Sequence, residues 1–205
     1  GSTVLFSRFC GCHQQSVILR NTDDYPFSRK LCSGDLLFVR EQVSDMEKAI
    51  AASTGNYTHV ALVECDSNGT TWIIESTTKT GVHRLKLSEW DTAGTLQADL
   101  YCLTVPFDTA AVIYRAKSFL GQPYDDEFLP DNGKIYCSEL ICEIFLDIQG
   151  NRLFPNRPMN FRDSRGHMPH YWKKHFRKLG MKVPENVLGS NPNDLSMSDK
   201  LRHVL

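Results

Sequence analysis

Tyr136-Cys137-Ser138-Glu139-Leu140 leads straight into an apolar stretch of helical length, Ile141 to Ile148. The pattern predicts a helix with one thiol at its start. Helix starts carry partial positive charge and unpaired backbone N–H groups, which stabilise a thiolate and can hold the oxyanion of an acyl-transfer intermediate. Taken alone, Cys137 reads as a packed core cysteine, since free cysteine is among the most buried residue types. Two upstream segments shift that balance. His59 lies in the strand-like run Tyr57-Thr58-His59-Val60-Ala61-Leu62-Val63, and Glu75 lies in the next, Trp72-Ile73-Ile74-Glu75-Ser76. A histidine in a sheet is as readily a satisfied structural residue as a base. A carboxylate beside Trp72, Ile73 and Ile74 either faces solvent or needs a partner. Cysteine, histidine and carboxylate together are the parts of an activated thiol nucleophile.

The two strands flank a turn at Asp66-Ser67-Asn68-Gly69. A turn centred near residues 67 and 68 brings His59 and Glu75 within one residue of facing each other. Whether they share a face depends on the loop register, because a one-residue slip flips a side chain to the other side.

Outward from this hairpin, Asp35 to Arg40 reads as a strand introduced by Ser33-Gly34. Ser44-Asp45-Met46-Glu47 has the capping-box pattern, so a helix should run to about Ser53 and close at Gly55. Gly81 to Leu87 and Asp99 to Val105 add strands, and Asp108 to Leu120 reads as a helix capped by Asp108 and stopped by Gly121 and Pro123. A last helix is expected from Pro169 to Leu179. Helices before and after a block of adjacent strands favour an α+β fold with a mostly antiparallel sheet. The whole chain reads as one domain, residues 1–205, with an irregular lead-in (about 1–33) and a polar, turn-rich tail on the surface (about 180–205).

Composition narrows the function classes. A hydrophobic content of 41% and a charged content of 23% are ordinary for a globular protein. A net charge of -1 argues against a nucleic-acid binder with a broad electrostatic footprint. No apolar run approaches the ~20 residues of a membrane span. Gly1-Ser2 in place of a starting methionine reads as an engineered remnant, so a signal peptide removed upstream stays open. Seven cysteines in a chain of this length do not make a small disulfide framework. Cys65 and Cys102 read as buried apolar residues in strands, and Cys142 lies on another face of the Cys137 helix. Cys10-Gly11-Cys12-His13 invites a metal reading, but no second ligand pair has zinc-site spacing, which favours a mobile N-terminal segment. No role is assigned to Cys32.

Five short segments carry a resemblance. Cell-wall peptidases of the NlpC type have a Pro-Tyr segment before an Asp-Cys-Ser-Gly-Leu nucleophile motif, then a Gly-Asp-Leu strand, a His-Val-Gly-Ile strand, and a short strand with a polar third residue. Here Gly34-Asp35-Leu36-Leu37-Phe38 comes first, then His59-Val60-Ala61-Leu62-Val63, then Ile73-Ile74-Glu75-Ser76. Gly121-Gln122-Pro123-Tyr124 and Tyr136-Cys137-Ser138-Glu139-Leu140 follow. Over residues 34 to 145 this rotated order resembles the circularly permuted papain-like hydrolases of the YiiX type. The resemblance implies a sheet or half-barrel packed against helices, with Cys137 as nucleophile, His59 as base and Glu75 orienting His59. It places Tyr124 and Ser138 beside the nucleophile for the oxyanion or substrate. It also implies a bacterial cell-envelope or exported setting.

Three departures stand out. Tyr136 replaces the motif aspartate, Glu139 replaces the glycine, and Asp125-Asp126-Glu127 follows Tyr124 where the peptidases carry glycines. They bear on the substrate rather than on the acyl transfer. A carboxylate at Asp125 or Asp126 would attract a protonated amine, so the expected substrate is a small peptide or amino-acid conjugate, cell-wall derived ones included. The chemistry calls for no metal or cofactor. Two other classes stay open: an acyltransferase or lipid-acting relative, which a long apolar groove would favour, and a binding module, which would lack a triad member.

Overall fold

The computed structural model describes residues 31–92 and 96–204. Six strands form one antiparallel sheet in the order β4-β3-β2-β1-β5-β8. They are β1 (Leu36–Val39), β2 (His59–Cys65), β3 (Thr71–Thr77), β4 (Gly81–Lys86), β5 (Ala98–Leu103) and β8 (Leu201–His203). The central strands read as near-continuous apolar runs because both faces are covered. Leu36, Phe38, Val60, Leu62 and Ile74 face one core, while Leu37, Val39, Ala61, Val63 and Ile73 face another. The first core is closed by helices α3 (Thr109–Ser118) and α4 (Cys137–Ile144), through Val112, Ala116, Leu140, Ile141 and Ile144. The Val, Leu and Ile side chains among them each contribute roughly 1.5–3 kcal/mol on burial.

A third cluster joins α1 (Asp45–Thr54) to α5 (His170–Lys178) around Phe128, Tyr136, Phe161, Trp172 and Phe176. Helix α1 forms as its capping box predicts: Glu47 N–H donates to Ser44 Oγ (3.1 Å), and Ser44 N–H donates to Glu47 Oε1 (2.7 Å). The remaining elements are short: α2 (Leu87–Trp90), α6 (Pro192–Ser196) and the pair β6 (Arg157–Pro158) and β7 (Leu188–Gly189). Among the described residues no helix is long and apolar enough to cross a membrane. Cys10, Cys12 and His13 lie outside the described residues, as does most of the irregular lead-in.

Two expectations need correction. The Cys137 helix stops at Ile144 rather than Ile148. Asp147 Oδ1 accepts from Gln149 N–H and Asn151 N–H, both at 2.9 Å, and so offers the chain a turn in competition with the helix. Phe145, extended just before it, is fully buried against Phe107 and Phe154. The tail is likewise more than a surface segment. Asn191-Pro192-Asn193-Asp194 is a helix start: Asn191 Oδ1 accepts from Asp194 N–H at 2.8 Å, with proline in the first turn. Leu195 and Leu201 then enter the main core, and β8 pairs with β5 through Leu201–Leu103 and Arg202–Cys102. Its polar composition conceals a few apolar residues that close the sheet.

Candidate active site

His59 is the first residue of β2 and Glu75 lies on β3. The observed pairing sets Leu62 opposite Ile74. One step further sets Glu75 opposite Ala61, two residues from His59 and therefore on the same face. His59 Nε2 donates to Glu75 Oε1 at 2.6 Å. Cys137, buried at the first position of α4, lies close enough to His59 to act on its charge. Since Nε2 is taken by Glu75, Nδ1 is the ring atom left for the thiol.

Electrostatics follow from these contacts. Burial alone would lower the His59 pKa, but the bonds to Cys137 and Glu75 outweigh it and push it up to about 10. Burial alone would raise Glu75, but hydrogen bonds from His59 and His83 hold it well below the usual carboxylate range. The pair is therefore imidazolium and carboxylate at neutral pH. Two residues that the strand patterns did not single out complete the surroundings of Glu75. His83 Nε2 donates to Oε2 at 2.7 Å, and Trp90 Nε1–H donates to Oε1 at 3.0 Å. His83 is the direct partner of Glu75 across the β3–β4 hairpin. The turn between those strands, read for its centre, points to that pairing.

The loop carrying Tyr124 is laced to this hairpin. Val82 N–H donates to the Gln122 carbonyl (2.9 Å), and Gly121 N–H donates to the Val82 carbonyl (3.0 Å). Gly81 permits the approach: its φ is +64°, and a Cβ there would stand 2.3 Å from the Gln122 carbonyl oxygen. Tyr124 thus lines a cavity of about 40 Å³ together with Cys137, Ser138, Phe128, Tyr136 and Trp172. Burial, then the charge of Cys137, raises the Tyr124 phenol well above its ordinary range, so it stays a hydroxyl donor. The Ser138 side chain is fully buried and accepts from Ser190 Oγ at 2.9 Å. Ser190 N–H donates to Tyr136 Oη at 3.0 Å.

The two aspartates part ways. Asp125 is fully buried and its carboxylate is taken by its own loop, through Glu127 N–H, Leu129 N–H and Asn132 Nδ2. It organises the loop rather than presenting charge to a ligand. Asp126 is exposed, and its carbonyl accepts from His175 Nε2 at 2.7 Å. Neither lines the cavity at Cys137.

Glu139, at the motif glycine's place, is buried in the first turn of α4. Burial, reinforced by the charge of Asp125, pushes its carboxyl up to about 8. The native chain holds this proton up to about 8, whereas an unfolded chain releases it near 4.5. Native protein therefore binds more protons in that window, and the contribution of Glu139 to stability falls as pH rises through it. Glu139→Gln, which cannot ionise, should gain Tm relative to the wild type as pH is raised from about 5 to about 8.5. Calorimetry across that range checks this. A constant difference would mean that Glu139 titrates normally.

Residues 30–205 match the family described as permuted papain-like amidase enzyme, YaeF/YiiX, C92 family, and the chain belongs to that family. It is also similar in fold to a crystal structure described as metalloprotein yiiX from Escherichia coli O157:H7. The TM-score is 0.70 at 19% sequence identity, covering 85% of this chain and 96% of that one. A search of curated proteins returned no match. The α+β, permuted papain-like architecture read from the motif order is thus the observed one, and the family is one of amidases.

Proposed function

We propose that this protein is a cysteine-dependent amide hydrolase working through a thioester, with Cys137 as nucleophile, His59 as base and acid, and Glu75 orienting His59. The observation that supports it best is the 2.6 Å hydrogen bond from His59 to a buried, ionised Glu75, with Cys137 close enough to act on the His59 charge. The Cys137 sulfur attacks the substrate carbonyl, and the electron pair collapses onto an oxygen facing the start of α4 and Tyr124. The C–N bond breaks as His59 gives its proton to the leaving amine. Water, deprotonated by His59, then hydrolyses the thioester, releasing the acid and restoring the thiol. Glu75 keeps the imidazole oriented and stabilises its charged form throughout.

The substrate proposed is a small peptide or amino-acid conjugate with a free amine near the scissile bond. Support comes from the aromatic wall beside Cys137, formed by Tyr124, Phe128, Tyr136, Phe161 and Trp172. Aromatic faces attract an ammonium group. The charge of Asp126 also reaches Tyr124. The test compares kcat/KM for one amide with its amine free and acetylated. Acetylation should lower kcat/KM in the wild type, and Asp126→Asn should narrow the gap while Asp125→Asn, whose charge is turned inward, acts mainly on stability. Equal rates for the two substrates would overturn the amine proposal.

One observation favours the second reading, an acyltransferase or lipid-acting enzyme. A larger cavity of about 320 Å³, lined by Leu153, Phe154, Pro158 and Met197 among others, shares Met159 and Ser190 with the cavity at Cys137. Transfer of an acyl group to an added acceptor in preference to water would establish it.

A further inference from the structure

We propose that His83 and Trp90 are positioning residues that fix the plane of the Glu75 carboxylate and, through it, the imidazole of His59. This rests on the triad reading above. Glu75 is 5% exposed in an apolar strand, where an unpartnered carboxylate would be costly. A single hydrogen bond to His59 would leave the carboxylate plane free, because the terminal torsion of a glutamate is broad and has no sharp rotamer wells. Here both oxygens are pinned. Oε2 accepts only from His83 (2.7 Å) among the bonds the structure shows, while Oε1 accepts from both His59 (2.6 Å) and Trp90 (3.0 Å). Trp90 offers one N–H and no acceptor, so its bond has a single sense.

Local folding explains how the three donors converge. The β3–β4 hairpin places His83 directly across from Glu75. Lys86 ends β4, and the single turn of α2 carries Trp90 back over β3. Leu87 and Trp90 pack against the second core with Leu85, which anchors that turn. The carboxylate is thus gripped by one hairpin and its following turn, while only His59 comes from β2.

A purely structural role for His83 and Trp90 makes a different forecast. If they only neutralise a buried charge, removing them lowers stability without singling out the chemical step. If they position Glu75, the loss falls on kcat at nearly constant KM, and a side chain with a donor at the right reach restores it. The experiment measures kcat, KM and Tm for His83→Leu, His83→Gln, Trp90→Phe and Glu75→Gln on one amide substrate, with the alkylation rate of Cys137 at neutral pH as a readout independent of turnover. His83→Leu should lose on the order of 10–10² in kcat, the scale of a mispositioned catalytic group, and His83→Gln should recover most of it. Trp90→Phe should lose several-fold, and it carries the test by itself should His83→Leu not fold. Combining His83→Leu with Glu75→Gln should cost little beyond Glu75→Gln alone, since both act through one carboxylate. A lowered Tm with unchanged kcat in His83→Leu, or fully multiplicative losses in the double variant, would overturn the proposal. Unchanged kcat and unchanged alkylation in Glu75→Gln would instead overturn the triad beneath it, a result that the His83 variants cannot mimic.

Discussion

Cys137→Ala is expected to abolish amide turnover, a loss on the order of 10⁴ or more, with the fold retained. The thiol is small and buried, so alanine removes the proposed nucleophile while leaving little space. In wild-type protein the same thiol should be the one that limiting iodoacetamide alkylates first at neutral pH. Cys142 supplies an internal control. It lies on the same helix, yet burial pushes its thiol up to about 11. Cys137 stands at the helix start beside a histidine held as imidazolium, the group that would deliver a proton to the leaving amine. Cys10 and Cys12 should be replaced beforehand so that they do not enter the comparison. Mass spectrometry after brief treatment gives the site, and preferential labelling of Cys65 or Cys142 would remove Cys137 as the nucleophile.

Much of the fold was legible because its signals are local and redundant. The Ser44/Glu47 box, the Asp108 cap, the Asp66–Gly69 turn and the apolar strands each carry their own chemistry, and the elements formed within a few residues of where those signals point. The motif order added what periodicity lacks, namely which elements meet. His59 and Glu75 were findable because they flank a short turn, where chain geometry leaves little freedom. The one undetermined quantity was the register, and the structure sets it so that both side chains share a face.

What was not legible depends on long-range contacts. Leu195 and Leu201 sit in a polar segment, and nothing local says that β8 completes the sheet edge beside β5. Asp125 and Asp126 look equivalent in sequence, yet one is consumed by backbone N–H groups a few residues on and the other is exposed. His83 is different in kind. Its hairpin turn at Thr77–Gly81 is as short as the first one, so the same reasoning reaches it. It looks ordinary only because histidine on a strand carries no signal until its partner is known to be a buried carboxylate.

His59→Ala and Glu75→Gln should separate the two roles on the sheet side of the site. On the proposed mechanism His59 holds the proton given up by Cys137 and delivers it to the leaving amine, so in His59→Ala turnover should nearly vanish. Glu75→Gln keeps the side chain's size and one acceptor oxygen but loses the charge opposite imidazolium. The expected loss is on the order of 10²–10⁴ in kcat, about 3–5 kcal/mol of transition-state stabilisation. The pH profile gives the sharper discrimination. With His59 raised to about 10, wild-type kcat should fall as pH rises through that value, because the leaving amine then lacks its proton donor. The hydrogen bond and charge of Glu75 are among the causes that hold His59 up. In Glu75→Gln the alkaline limb should therefore move to lower pH, toward the ordinary histidine value of 6.5. A limb that stays near 10 together with unchanged kcat would mean that another group orients His59, and Glu75 would then be only a buried charge between two histidines.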